Sequence, residues 1–180
     1  MSGGTAAGRR LAAAVAVPVL FALWLTWPLH DGGLLSDDLA LLTWLVHPGG
    51  GADAVNWSRV AADFTGPWAF GNLSYYRPLV SLTLAVELWL GGGAEWVFHV
   101  SCIAMFAFAV GACSVLFAQL AGPLAGACGG LLLAAHPAGH EPLCWICTRA
   151  DLMVVGAGTL ACILFVAHLR SGRGAPAVGG

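Results

Sequence analysis

Long uncharged apolar runs, separated by polar segments marked with proline and glycine, organise this chain. Leu11 to Leu29 contains no charged residue and follows directly on Arg9 and Arg10. A second run, Trp96 to Leu120, is interrupted only by His99 near one end. Ala121 to Ala135 forms a third, closed by His136-Pro137, and Leu152 to Leu169 a fourth, ending at Arg170. A helix needs about 20 mostly apolar residues to cross a ~30 Å hydrocarbon core, and it satisfies its own backbone there. The pattern therefore predicts an all-α polytopic membrane protein with about four transmembrane helices, at 11–29, 96–120, 121–137 and 152–169. A long external first loop, 30–95, joins the first two, so that residues 1–170 form the membrane domain and 171–180 a flexible cytoplasmic tail. Arginines before an apolar run also mark a secretory signal peptide. This run is too long for an h-region and no small-x-small site follows Trp27-Pro28-Leu29, so it reads as an uncleaved anchor.

Shorter patterns lie within the loop. Pro78 to Leu90 is apolar but contains Glu87 and is too short to cross comfortably, which predicts a helix lying at the membrane interface. Leu34 to Val46 reads as another short helix, with Ser36 as N-cap and Asp37 and Asp38 in its first turn. In the third run Gly122, Gly126 and Gly130 recur every four residues, a spacing that lets two helix backbones approach closely in lipid. That stripe serves either internal packing or a helix–helix partner.

Composition strengthens the membrane assignment and adds sidedness. Hydrophobic residues make up 59% of the chain and charged ones 9%, against about 25% charged in ordinary soluble domains. All seven basic residues are arginine and none clusters beyond the pair Arg9 and Arg10, so a nucleic-acid partner is excluded. Lysine-free, alanine- and glycine-rich usage fits a high-GC bacterial source. With four crossings both termini are cytoplasmic, and Arg9, Arg10, Arg170 and Arg173 obey the positive-inside rule. The expected location is thus the bacterial inner membrane. All nine acids then lie outside, opposed there only by Arg59, Arg77 and Arg149.

Candidate chemistry concentrates on that external side. Asp37 and Asp38 either serve the helix N-terminus, where the dipole favours carboxylates, or do catalytic work. Arg77, in Tyr75-Tyr76-Arg77-Pro78, could anchor a lipid phosphate, bind a substrate phosphate or pair with a carboxylate. The second external segment, His136 to Asp151, sits between two spans, and its ionisable groups are functional candidates by position. His136, His140, Glu141, Cys144 and Cys147 could supply ligands to a metal such as zinc, and Cys144-x-x-Cys147 alone could be a redox pair. The other four cysteines, 102, 113, 128 and 162, read as small apolar packing residues. Asn56-Trp57-Ser58 and Asn72-Leu73-Ser74 match glycosylation acceptors but are coincidental in a bacterium.

Taken in order, Asp37-Asp38, Tyr76-Arg77-Pro78-Leu79, Phe98-His99, and His136-Pro137 with Glu141, Trp145, Arg149 and Asp151 form a recognisable series. It resembles the amino-terminal part of GT-C superfamily glycosyltransferases, most closely the transmembrane and tetratricopeptide-repeat O-mannosyltransferases and their bacterial relatives. The resemblance covers roughly residues 10–170 of this sequence. It implies transfer of a mannose-like sugar from a polyprenyl-phosphate donor to a protein or glycan acceptor at the external membrane face. It also implies a catalytic carboxylate at Asp37 or Asp38. Substrate-binding roles then fall to Arg77, His136, Glu141, Arg149 and Asp151, with an arginine stabilising the leaving phosphate. Glu141 and Asp151 would orient the arginines or assist a divalent metal ion. Family members carry more spans than this chain, so the resemblance implies an amino-terminal portion of such an enzyme. The competing expectations are a non-catalytic remnant or helix-packing subunit using the glycine stripe, and a metal or redox membrane protein using His136, His140, Cys144 and Cys147.

Overall fold

The computed structural model describes residues 3–51, 54–68 and 75–171. Asp53, the sequon at Asn72, Arg173 and the expected tail after Ser171 lie outside the described residues. The described chain is helical, its β pairing limited to an isolated antiparallel bridge between Val46 and Val55. The helices are α1 (Gly3–Thr26), α2 (Ser36–Trp44), α3 (Trp57–Ala62), α4 (Pro78–Gly91), α5 (Glu95–Ala121), α6 (Pro123–Ala135), α7 (Glu141–Cys144) and α8 (Ala150–Arg170). Single 3-10 turns follow α1, α6 and α7 at Trp27–Asp31, Pro137–Gly139 and Ile146–Thr148.

Three segments are long and apolar enough to cross a membrane: Ala6–Asp31, Glu95–Ala121 and Ile146–Arg170. They carry the first, second and fourth of the expected spans. The third is shorter than its uncharged run. Gly122 adopts a left-handed φ of 91° and Pro123 starts α6 afresh, while His136 is extended. The 13 residues of α6 cover about 20 Å at ~1.5 Å per residue, short of a hydrocarbon core.

The chain divides into two compact units. One comprises Met1–Leu25, Met105–Gly139 and Met153–Gly180. Apolar side chains such as Trp24, Leu124, Leu132, Leu164 and Phe165 stand exposed on it, as lipid-facing positions do. Its interior is built on small residues. A Cβ at Gly126 would lie 2.6 Å from the Ser114 carbonyl oxygen and 2.8 Å from Ala118 Cβ. One at Gly130 would meet Ser114 Oγ at 2.0 Å and Pro18 Cβ at 2.7 Å. Gly126 and Gly130 thus seat α6 against α5 and α1, whereas Gly122 precedes the helix and a Cβ there would meet nothing within 4 Å. Pro18 lies within α1, where it removes a backbone donor.

The other unit comprises Thr26–Ala104 and His140–Leu152. It gathers the end of α1, the whole first loop, the start of α5 and the approach to α8. Leu41, Leu45, Val80, Leu84, Phe98, Leu143 and Ile146 fill its core. Buried polar residues crowd here as well: Thr26, Asp38, Asn56, Asp63, Ser81, Glu87, His99 and Arg149. The helix α4, expected at the membrane interface, is a core element of this unit. It buries Val80, Ser81, Leu84, Ala85, Glu87 and Leu88 and exposes Leu79, Trp89 and Leu90. Leu35, rather than Ser36, is the N-cap of α2. The reason is the Asp38 carboxylate, which reaches back to accept the Leu35 N–H at 3.0 Å.

The close approach at Gly126 gives a clean test of internal packing. Gly126→Ala should lower stability in detergent by about 1–3 kcal/mol, because the nearest atom is backbone and cannot swing aside. Gly158→Ala, which meets nothing within 4 Å, should be neutral or stabilising through its gain in helix propensity. Thermal-unfolding midpoints of the two variants measure the contrast, and equal behaviour would refute the packing assignment.

Candidate functional site

Three polar connections tie the second unit together. The first runs from α2 to the turn before α8. Asp38 Oδ2 accepts the Leu35 N–H, and its Oδ1 accepts the Cys147 N–H at 2.8 Å. With both oxygens engaged and only 1% of its surface exposed, Asp38 staples two segments that are distant in sequence. The second connection is a buried ion pair. Arg149 Nη1 donates to Glu87 Oε1 at 2.6 Å and Oε2 at 2.7 Å, while its Nε donates to the Ile146 carbonyl at 3.0 Å. Nη2 lies 3.5 Å from the Phe98 carbonyl, and Ser101 Oγ donates to Glu87. The third connection pairs His99 Nδ1 with the Leu143 carbonyl at 3.1 Å, which requires the proton on Nδ1. His99 Nε2 is buried without a partner.

Around these connections lies a cavity of about 410 Å³, lined by Asp37, Leu41, Trp68, Tyr75, Arg77, Trp145, Cys147 and Thr148 among others. Adjacent residues on a helix point about 100° apart. That geometry separates the acidic pair: Asp38 turns into the core, and Asp37 stands exposed in the cavity. Asp37 sits in the first turn of α2, beside the free N–H groups of that helix end.

Arg77 reaches the same cavity from the start of α4. Pro78 occupies the first helical position and keeps Arg77 out of the helical conformation, at φ −135° and ψ 49°. Its guanidinium lies 4.8 Å from the centre of the Tyr75 ring and 5.6 Å from that of Trp68. Among the described residues it makes no ion pair. A guanidinium stacked on aromatic faces keeps its in-plane N–H groups free for an anion. A carboxylate able to accept a proton and a cation able to hold a phosphate thus share one aromatic-walled cavity.

A larger cavity of about 540 Å³, lined by Val46, His47, Arg59 and Leu88 among others, contains no carboxylate. Its arginine is committed. Arg59 Nη1 donates to the Trp44 carbonyl at 2.7 Å, and the guanidinium stacks 4.5 Å from the Trp44 ring centre. The smaller cavity is the better chemical site despite its size.

The remaining expected site residues fall elsewhere. Arg149 is fully buried and bound to Glu87, so its guanidinium is not presented to a ligand. Its carboxylate partner is Glu87, where Glu141 or Asp151 was expected. Both of those acids are exposed, in the first turns of α7 and α8. His136 belongs to the first unit, exposed, with Nδ1 accepting the Ala138 N–H at 3.2 Å. Cys144 and Cys147 are free thiols. Among the described residues no three of His, Cys, Asp and Glu converge to hold a metal ion, so His136, His140, Glu141, Cys144 and Cys147 form no ligand set. His136 is extended and the 3-10 turn Pro137–Gly139 follows it, so no continuous helix aligns the two histidines. Glu87, Trp68 and Ser81 were not among the expected site residues. A lone acid in an apolar run was the available signal for the first, since such a charge must find a partner.

No protein-family profile, curated protein or solved structure matches this chain.

The buried pair predicts strong non-additivity. Arg149→Met alone should cost about 3–5 kcal/mol by stranding the Glu87 charge, whereas Glu87→Leu with Arg149→Met should recover much of that loss. Chemical unfolding in mixed micelles provides the comparison, and additive losses would show that the pair is not coupled.

Proposed function

We propose that the chain is an amino-terminal portion of a membrane glycosyltransferase that takes a mannose-like sugar from a polyprenyl phosphate to an acceptor hydroxyl. The observation that carries this is the cavity shared by Asp37 and Arg77, each without a hydrogen-bonded protein partner for its charged group among the described residues. Asp37 is the general base. It takes the proton of the acceptor hydroxyl as that oxygen bonds to the anomeric carbon, and the bond from that carbon to the phosphate oxygen breaks with its electron pair. Arg77 stabilises the charge gathering on the departing phosphate. The aromatic walls suit the apolar faces of a sugar. Asp38 supports the site from behind by holding the turn that carries Cys147.

The same proposal puts four crossings in the membrane, with both termini cytoplasmic and the Asp37 cavity external. Hydrogen bonds from His99 to Leu143 and from Arg149 to Phe98 join the start of α5 to the approach to α8. The proposal assigns the return crossing between α5 and α8 to α6 together with the turn Pro137–Gly139. Arg9, Arg10 and Arg170 then stay on the positive side.

Membranes from cells expressing the full open reading frame that encodes this chain, given radiolabelled polyprenyl-phosphate mannose and a hydroxyl acceptor, provide the test. Asp37→Asn should lower transfer about 10²–10⁴-fold, the range for loss of a general base, with the protein still folded. Asp38→Asn should chiefly destabilise it. Wild-type turnover in Asp37→Asn, or no transfer by the wild type, would sink the assignment.

A further inference from the structure

Trp68 is more than a wall of the cavity. It is 5% exposed, and its indole Nε1 donates to Ser81 Oγ at 2.9 Å. Ser81, fully buried, donates in turn to Asp63 Oδ2 at 2.5 Å. The direction of this chain is fixed by chemistry. An indole nitrogen can only donate and an ionised carboxylate can only accept, so the single Ser81 proton must go to Asp63. The indole is thereby pinned in its own plane through one edge, with Arg77 over its face at 5.6 Å. An N–H drawn toward an acceptor backed by a negative charge leaves the ring face richer in electrons, and cooperative polarisation of this kind strengthens each link. An electron-rich indole face is the better seat for a guanidinium.

We propose that the Asp63–Ser81–Trp68 chain is a positioning device that sets the anion affinity of the cavity through Arg77. Its ligand class is a phosphate monoester, and the proposal rests on the phosphate role given to Arg77 above. Trp68 and Ser81 do not touch the phosphate; they act by holding Arg77 with its N–H edge toward it. Three elements take part. Asp63 closes α3, Ser81 is in the first turns of α4, and Trp68 lies between them. Trp68, which precedes Arg77 in the chain, is thereby tied to the helix that follows it.

Binding of farnesyl phosphate to the purified protein in detergent tests this, with farnesol as the control lacking phosphate. Wild type should bind the phosphate and discriminate against the alcohol. Ser81→Ala and Trp68→Phe should each weaken phosphate binding about 3–10-fold, the size of one net hydrogen bond, and Ser81→Thr, which keeps the hydroxyl, should retain it. The decisive arm is the Arg77→Ala background, where Ser81→Ala should have no further effect, because a residue acting only through Arg77 loses its influence when Arg77 is gone. An equal Ser81→Ala loss with and without Arg77 would assign Ser81 a general structural role and overturn the device while leaving the cavity's phosphate role standing. Failure of the wild type to prefer farnesyl phosphate over farnesol would overturn both.

Discussion

Neither Glu87 nor Arg149 could be buried alone in this protein, because an unpaired charge removed from water costs several kcal/mol even after relaxation. Together, with Ser101 and the Ile146 and Phe98 carbonyls completing their hydrogen bonds, they fix the middle of the second unit. The pair joins α4 to the segment entering α8, and its additional bonds reach α5. The cavity depends on it directly. Arg149 Nε holds the Ile146 carbonyl, and the turn Ile146–Thr148 carries Cys147 and Thr148, which line the cavity, with Trp145 just before it. The Cys147 N–H of that turn is what Asp38 binds. Loosening the ion pair would therefore move one wall of the cavity and remove the anchor of α2 together.

Helix geometry then decides what the acidic pair does. Two neighbouring carboxylates in a first turn cannot face the same way, so one is free to act only because the other is spent on structure. Asp38 closes the capping interaction at Leu35 and the tertiary bond to Cys147, and in doing so it fixes the rotation of α2 about its axis. That rotation is what leaves Asp37 in the cavity. The proposed base is thus oriented by its neighbour, in the way a positioned catalytic group needs a rigid support.

Much of this was legible in the sequence. The uncharged runs located α1, α5 and α8, the proline at position 78 located the start of α4, and the spacing of Gly126 and Gly130 announced a close helix contact that the third glycine expected with them, Gly122, does not share. The length of α6 was not, because a left-handed Gly122 and an extended His136 end a helix without changing hydropathy. The burial of α4 was hidden for a related reason. A short apolar helix with one acid reads alike whether or not one face of it is packed, and only the partner of Glu87, Arg149, 62 residues on, shows the packing. Within the candidate site, Asp37 and Arg77 were visible as residue types, but nothing local said that they share a cavity. Tertiary pairing also withdrew Arg149 from the surface, and no spacing rule foretells that.

Charge is divided between the two units more sharply than the near-neutral total suggests. Eight of the nine acids, all those described, lie in the second unit, whereas the first holds Arg9, Arg10 and Arg170 and no described acid. A unit so acidic should repel a phosphate unless its cations are placed with care. Of its three arginines, Arg59 is committed to the Trp44 carbonyl and ring, and Arg149 to Glu87. Arg77 is held by aromatic faces, which seat a guanidinium without neutralising it. A carboxylate in that place would hold the side chain as firmly and cancel its attraction for an anion. Aromatic support is therefore the physical means by which an acidic unit can keep one arginine available, and the hydrogen-bonded chain behind Trp68 is what keeps that support in place.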